Sequence, residues 1–126
     1  MSNNGFIDII NNILIIEDDI NLAQLIKKRM EREGFKITIE TSGKKAINYI
    51  KNHRNLLILL DYELGDISGD KIIKEINSEK EGIYAPFIVI TGYEDVKRAV
   101  NMMKYGAKDY IIKDAFFINN LPSIIK

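Results

Sequence analysis

Three consecutive carboxylates, Glu17, Asp18 and Asp19, follow the apolar run Ile13 to Ile16. A fourth, Asp61, follows a second apolar run, Leu56 to Leu60. Carboxylates brought together repel and resist full ionisation unless a cation sits among them. Oxygen donors of this kind suit a hard divalent cation, and a carboxylate beside such an ion is a candidate nucleophile. Two further strand-like runs end in polar residues: FIVIT in Thr91, followed by Gly92, and DYIIK in Lys113. An acyl phosphate on Asp61 would need this set. A divalent cation and Lys113 would neutralise phosphoryl oxygens, Thr91 would donate a hydrogen bond, and Gly92 would leave room.

That chemistry requires the four runs to end at one place, which strictly alternating strands and helices achieve. The continuous apolar run Ile13 to Ile16 reads as a strand buried on both faces. Leu22, Leu25, Ile26 and Met30 then recur at helical spacing, with Asp19 or Asn21 as the cap and Gly34 as the stop. Residues 35–40 (FKITIE) alternate and are β-branched, as in a strand. Ser42 caps a helix with the stripe Ala46, Ile47 and Ile50, and Leu56 to Leu60 is the next strand. After a loop through Gly65, Ser68 caps a helix carrying Ile72, Ile73 and Ile76. Pro86 opens the strand FIVIT. Val96, Ala99, Val100 and Met103 form a stripe that ends at Gly106, and Tyr110 to Ile112 is the last strand. Pro122 is expected to forbid a helix running through Ile118, so a short helix starts near Leu121.

The expected fold is therefore α/β: a single doubly wound, parallel five-stranded sheet with helices on both faces and a short last helix. The flavodoxin-like strand order 2-1-3-4-5 suits the length and sets strands one and three side by side. This order is taken over from known sheets rather than derived. The 126 residues fit one domain, placed at 12–126 after a short extension, 1–11. Net charge is zero, which argues against a general nucleic-acid or acidic-membrane binder. The absence of cysteine excludes disulfides and thiolate chemistry. The N-terminus has no signal-peptide pattern and no run approaches a membrane span, so the cytoplasm is the expected compartment.

The stretches ILIIEDD, LLILLDYELGDISG, PFIVITG and GAKDYIIK, in this order and each at a strand end, resemble the receiver domains of two-component response regulators. The resemblance covers roughly residues 12 to 118. It implies that Asp61 is the phosphoacceptor and that Asp18 holds Mg²⁺ (or Mn²⁺), with Glu17 acting directly or through water. It implies a metal ligand in the backbone carbonyl of Glu63, and switch roles for Thr91 and Tyr110. Lys113 matches the family's lysine, and Glu63 and Tyr93 stand where the family tunes dephosphorylation. The implied partners are a sensor histidine kinase or phosphotransfer protein and a downstream output domain, with no direct contact to nucleic acid or membrane. Beyond its own aspartyl phosphorylation and dephosphorylation the domain would catalyse nothing.

The chain also departs from the family pattern. Asp114 follows Lys113 where receivers usually have a cis proline, Gly65 replaces a frequent proline, and the last helix is short. These features look like receivers within multidomain or hybrid signalling proteins, and the end within a helix suggests that more chain follows. Each residue also has a plainer use. Asp19 reads best as the cap of the first helix, Tyr110 could simply pack, and His53 reads as a helix-end residue. The alternative function is an interaction module that works without phosphorylation, a pseudo-receiver. Flavodoxin chemistry fits poorly because Glu17 to Asp19 would repel phosphate. An aspartyl-phosphate phosphatase fits poorly because position 63 is Glu rather than Asp.

Overall fold

Isoleucine and leucine fill whole strands of this protein, and in a computed structural model those strands are the centre of the sheet. The structure describes residues 12–53, 56–62, 69–76, 85–92 and 96–125. The elements run β1 (Asn12–Ile16), α1 (Ile20–Glu31), β2 (Lys36–Glu40), α2 (Gly43–Asn52), β3 (Leu56–Asp61) and α3 (Gly69–Ile76). They continue with β4 (Phe87–Thr91), α4 (Val96–Met102), a 3₁₀ turn (Met103–Tyr105), β5 (Asp109–Ile112) and α5 (Phe117–Ile125). The strands form one sheet in the order β2-β1-β3-β4-β5, with every neighbouring pair parallel, as expected.

Because side chains alternate along a strand, each strand feeds two cores. Leu14, Ile16, Ile58, Leu60 and Val89 face one side, where they pack with Ala46 and Ile50 of α2, Ile72 and Ile73 of α3, and Met102 of α4. Ile13, Ile15, Leu57, Leu59, Ile90 and Ile111 face the other, against Ala23, Ile26 and Met30 of α1 and Phe117 and Leu121 of α5. Burial on both faces is the reason that β1 and β3 read as unbroken apolar runs.

The helix ends follow their capping chemistry. Asp19 accepts the Leu22 N–H at 3.1 Å, and Ser42 accepts the Lys45 N–H at 3.2 Å. Gly34 and Gly106 adopt positive φ (95° and 99°) just past α1 and the 3₁₀ turn, where a side chain would be strained.

Three expectations are corrected. The α1 stripe is Ala23, Ile26 and Met30, whereas Leu25 is 56% exposed. Among the described side chains of the fourth helix the buried one is Met102, while Val100 and Met103 lie at the surface. The helix tightens to 3₁₀ at Met103, so the 3.6-residue stripe drawn through that position loses its phase. The last helix starts at Phe117, not near Leu121, and contains Pro122. A proline inside a helix costs about 3 kcal/mol. Phe117 and Leu121 lie one turn apart on the sheet and are both buried, each contributing about 2–3 kcal/mol, which offsets that cost. The Ser68 cap, the loop through Gly65 and the extension 1–11 lie outside the described residues.

Candidate functional site

Register brings the four strand ends together. Ile16 pairs with Leu60, so Glu17 and Asp61 are the next residues on adjacent central strands. Asp61 pairs with Ile90 and Thr91 with Ile112, so Thr91 and Lys113 continue the same edge. The β1–β3 adjacency is the one that joins the two sets of acids.

The side chains converge. Carboxylate oxygens of Glu17, Asp18 and Asp61 all lie within 4.8 Å of one another. Glu17 and Asp61 are buried (2% and 4% exposed), while Asp18 is exposed. The Lys113 ammonium reaches both buried acids, with Nζ 3.0 Å from Glu17 Oε1 and 3.4 Å from Asp61 Oδ1. The Asp19 N–H donates to Glu17 Oε2 at 3.3 Å, and the Glu17 N–H donates to the Glu40 carbonyl of β2 at 3.1 Å. Asp19 therefore caps α1 through its carboxylate and steers Glu17 through its backbone.

Thr91 is buried, and its hydroxyl donates to the Gly92 carbonyl at 3.2 Å. Its own carbonyl accepts the Lys113 N–H at 2.8 Å, tying the ends of β4 and β5 together. Tyr110 is half-buried and packs against the core that includes Val89 and Met102. Glu63 and Tyr93 lie outside the described residues. The Lys113–Asp114 peptide is trans.

Electrostatics reflect a site with too much negative charge. Burial, then the hydrogen bond and charge of Asp61, push the Glu17 carboxyl up to about 7, and Lys113 only partly opposes this. Asp18 is also raised, first by burial and then by Glu17. Burial alone would lower Lys113, but its hydrogen bond to Glu17 and the charges of Asp61 and Glu17 outweigh burial and raise it. With all three carboxylates ionised, one ammonium would leave two negative charges unbalanced. An all-oxygen donor set with that deficit fits a hard divalent cation.

Sequence reasoning assigned Lys113 to the phosphoryl group of Asp61 and missed its shorter contact to Glu17. It also missed the Tyr62–Gly69 clasp, in which the Gly69 N–H donates to the Tyr62 carbonyl at 3.3 Å. A Cβ on Gly69 would meet that oxygen at 3.3 Å, so only glycine fits without a shift. The signal was a glycine opening a helix just beyond the Asp61 loop.

Known proteins resemble this chain in sequence and in fold. The family profile described as a response regulator receiver domain matches residues 13–126. Response regulator ArlR of Staphylococcus saprophyticus is 38% identical over 101 residues, 80% of this chain and 44% of the relative. Transcriptional regulatory protein ZraR of Escherichia coli is 30% identical over 86% of the chain, which is 24% of ZraR. The chain thus spans less than half the length of either relative. Among solved structures, a response regulator receiver domain from Rhodospirillum rubrum superposes with a TM-score of 0.78 at 29% identity, covering 90% of this chain and 89% of that one. A CheY-like receiver domain protein from Methanospirillum hungatei gives 0.77 at 27% identity, covering 92% and 91%. With all of the sheet but Asn12, and the whole acidic edge, inside the matched span, the chain belongs to the response regulator receiver family.

Proposed function

We propose that the chain is a phosphoacceptor switch that takes a phosphoryl group from a phosphohistidine onto Asp61. The observation that carries this reading is the Lys113 ammonium held between Glu17 and Asp61, beside Asp18. In the transfer an Asp61 carboxylate oxygen attacks phosphorus, an O–P bond forms, and the P–N bond to the donor histidine breaks with its electron pair leaving on nitrogen. The released imidazole then takes up a proton.

Glu17, Asp18 and Asp61 would hold the divalent cation, Mg²⁺ or Mn²⁺, with the Glu63 carbonyl as the further ligand that family resemblance implies. When bound, that cation supplies charge neutralisation for the phosphoryl oxygens. Lys113 supplies the second positive charge and exchanges its contact with Asp61 for a phosphoryl oxygen. Burial of Glu17 and Asp61 keeps their charges poorly screened, so a change at Asp61 is felt across the edge.

Phosphorylation adds up to about −2 in charge at Asp61. The Thr91 hydroxyl, donated to Gly92 in this structure, is the side-chain hydroxyl of β4 and would turn toward the new oxygens. Tyr110 on the neighbouring strand would follow, altering the face made by α4 and β5. Glu63 and Tyr93 would set how readily water hydrolyses the acyl phosphate. The partners would be a histidine kinase or phosphotransfer protein and an output domain in the cytoplasm. Relatives named as response regulators and transcriptional regulatory proteins support that setting. No helix among the described residues is long and apolar enough to cross a membrane.

The test is labelling by a small phosphodonor such as phosphoramidate with Mg²⁺. The expected result is one phosphoryl group per wild-type chain and none in Asp61→Asn. Equal labelling of both proteins would overturn the assignment of Asp61. No labelling and no saturable Mg²⁺ site in the wild type would leave the pseudo-receiver instead.

A further inference from the structure

The residue after Lys113 is a second, separate constraint on the lysine. Lys113 is the centre of a tight turn in which the Asp114 N–H donates to the Ile112 carbonyl at 2.8 Å. A bond of this i to i+2 type forms a γ-turn, which commonly ends a strand. On the inner side, the Lys113 N–H is fixed to the Thr91 carbonyl at 2.8 Å. On the outer side, Asp114 Oδ1 accepts the Phe116 N–H at 2.8 Å, and the Asp114 carbonyl accepts the Phe117 N–H at 3.5 Å. Asp114 thereby joins the turn at Lys113 to the first turn of α5, whose Phe117 and Leu121 are buried on the sheet. An Asp whose side chain accepts an N–H two residues on forms a local turn of its own, so the carboxylate locks the backbone leaving Lys113. A proline at this position could donate no N–H and offer no side-chain acceptor.

We propose that Asp114 is a positioning residue that aims Lys113 at the Glu17–Asp61 pair by docking the end of β5 onto α5. This rests on the phosphoacceptor reading only for its kinetic consequence. The lysine is exposed over about a quarter of its side chain (27%), and β5 is an edge strand paired on one side only. The ion pairs to Glu17 and Asp61 draw the ammonium in, and these hydrogen bonds fix the backbone from which it reaches. The carboxylate of Asp114 acts through backbone geometry, so an amide that accepts the same N–H should serve as well.

The experiment compares Asp114→Ala and Asp114→Asn with the wild type in the full 126-residue chain. Two readouts are taken: labelling by phosphoramidate with Mg²⁺, and the ¹H–¹³Cε cross-peak of Lys113 in metal-free protein. Asp114→Ala is expected to label about fivefold more slowly, the size of a lost cap. Its Lys113 cross-peak is expected to move toward the bulk of the lysines. Asp114→Asn is expected to restore both the wild-type rate and the wild-type cross-peak. A wild-type rate and an unmoved Lys113 signal in Asp114→Ala would overturn the proposal, leaving Asp114 as a helix cap alone. Equal impairment of both variants would also overturn it, because charge rather than acceptance would then be responsible. If the wild type takes no label, the phosphoacceptor reading fails, and the Lys113 cross-peak still decides the role of Asp114.

Discussion

At the centre of the sheet, β1 and β3 are each paired on both sides, and their terminal acids, Glu17 and Asp61, are buried. At its margin, β5 is paired on one side, Ile112 is half-buried, and Lys113 is partly exposed. The central acids are held by packing of the strands that carry them. The marginal cation is held by its ion pairs to those acids and by a few main-chain hydrogen bonds at its strand end, from Lys113 to Thr91 and from Asp114 to Ile112. Packing resists displacement in every direction, whereas a turn held by two or three hydrogen bonds moves at modest cost. The difference suits the proposed phosphoacceptor role, in which negative charge would stay put while its positive partner adjusts to a new phosphoryl group.

The largest effect should come from breaking the rigid half. Leu60 is fully buried, just before Asp61, and its truncation to Ala should cost about 2–5 kcal/mol of stability. Ile112 holds the corresponding place before Lys113, is half-buried, and should cost only about 1 kcal/mol. Urea unfolding of the two variants measures the contrast directly. Equal losses would mean that the β5 end is packed as firmly as the centre.

The pH dependence of stability sharpens the contrast next. The folded Glu17 carboxyl sits at about 7 against an ordinary 4.5, so the folded protein holds this proton more tightly than the unfolded chain does. The associated stability is fully present below about 4.5 and is lost as pH rises through about 7. Metal-free wild type should therefore lose stability relative to Glu17→Gln between those values and level off above them. Saturating Mg²⁺ should reverse the trend, since a cation favours the ionised form. Thermal melts of both proteins across pH 4.5 to 8 check the sign, and parallel curves would remove Glu17 as the cause.

Much of this asymmetry was legible in the residues. Unbroken runs such as Leu56 to Leu60 announce a strand buried on both faces, and alternation with helical stripes leaves few ways to order such strands. The acids, Thr91 and Lys113 were readable because each stands at or just beyond the end of a strand-like run. The contacts among them were not. That Lys113 lies nearer Glu17 than Asp61 depends on side-chain reach across three strands, which no local pattern encodes. Pro122 misled for a related reason. Helix propensity is a local rule, and the burial of Phe117 and Leu121 that overrides it is a tertiary fact. The outward turn of Leu25 and Met103 likewise depends on which arc of each helix meets the sheet.

Removing the cation itself probes the adjustable half. Lys113→Met keeps most of the side chain's length and leaves two buried acids without their ammonium. A fully buried pair would lose several kcal/mol, but partial exposure of Lys113 brings the expected cost down to about 1–2 kcal/mol near pH 8. The cost should shrink as pH falls and Glu17 takes up a proton. Mg²⁺ binding should persist in this variant, because the acids remain, while phosphoramidate labelling should fall at least about tenfold through loss of a charge partner in the transition state. Calorimetric Mg²⁺ titration beside a labelling time course separates the two. Loss of both together would place Lys113 among the determinants of the metal site.

The smallest effect belongs to Asp19, which shares with Asp114 the place directly after a site residue. Asp19 caps α1 through Leu22 and lends its N–H to Glu17. Asp19→Ala removes the cap but keeps the N–H, and should cost about 1 kcal/mol of stability. Glu17 itself is anchored by burial and by its own N–H bond to Glu40, so its position should not depend on that carboxylate. Asp19→Ala should accordingly melt a few degrees lower and label at the wild-type rate, whereas Asp114→Ala should label more slowly. If Asp19→Ala slowed labelling as much as Asp114→Ala does, the buried acids would depend on their neighbouring turn as strongly as the lysine does. The division into a packed half and a hydrogen-bonded half would then fail.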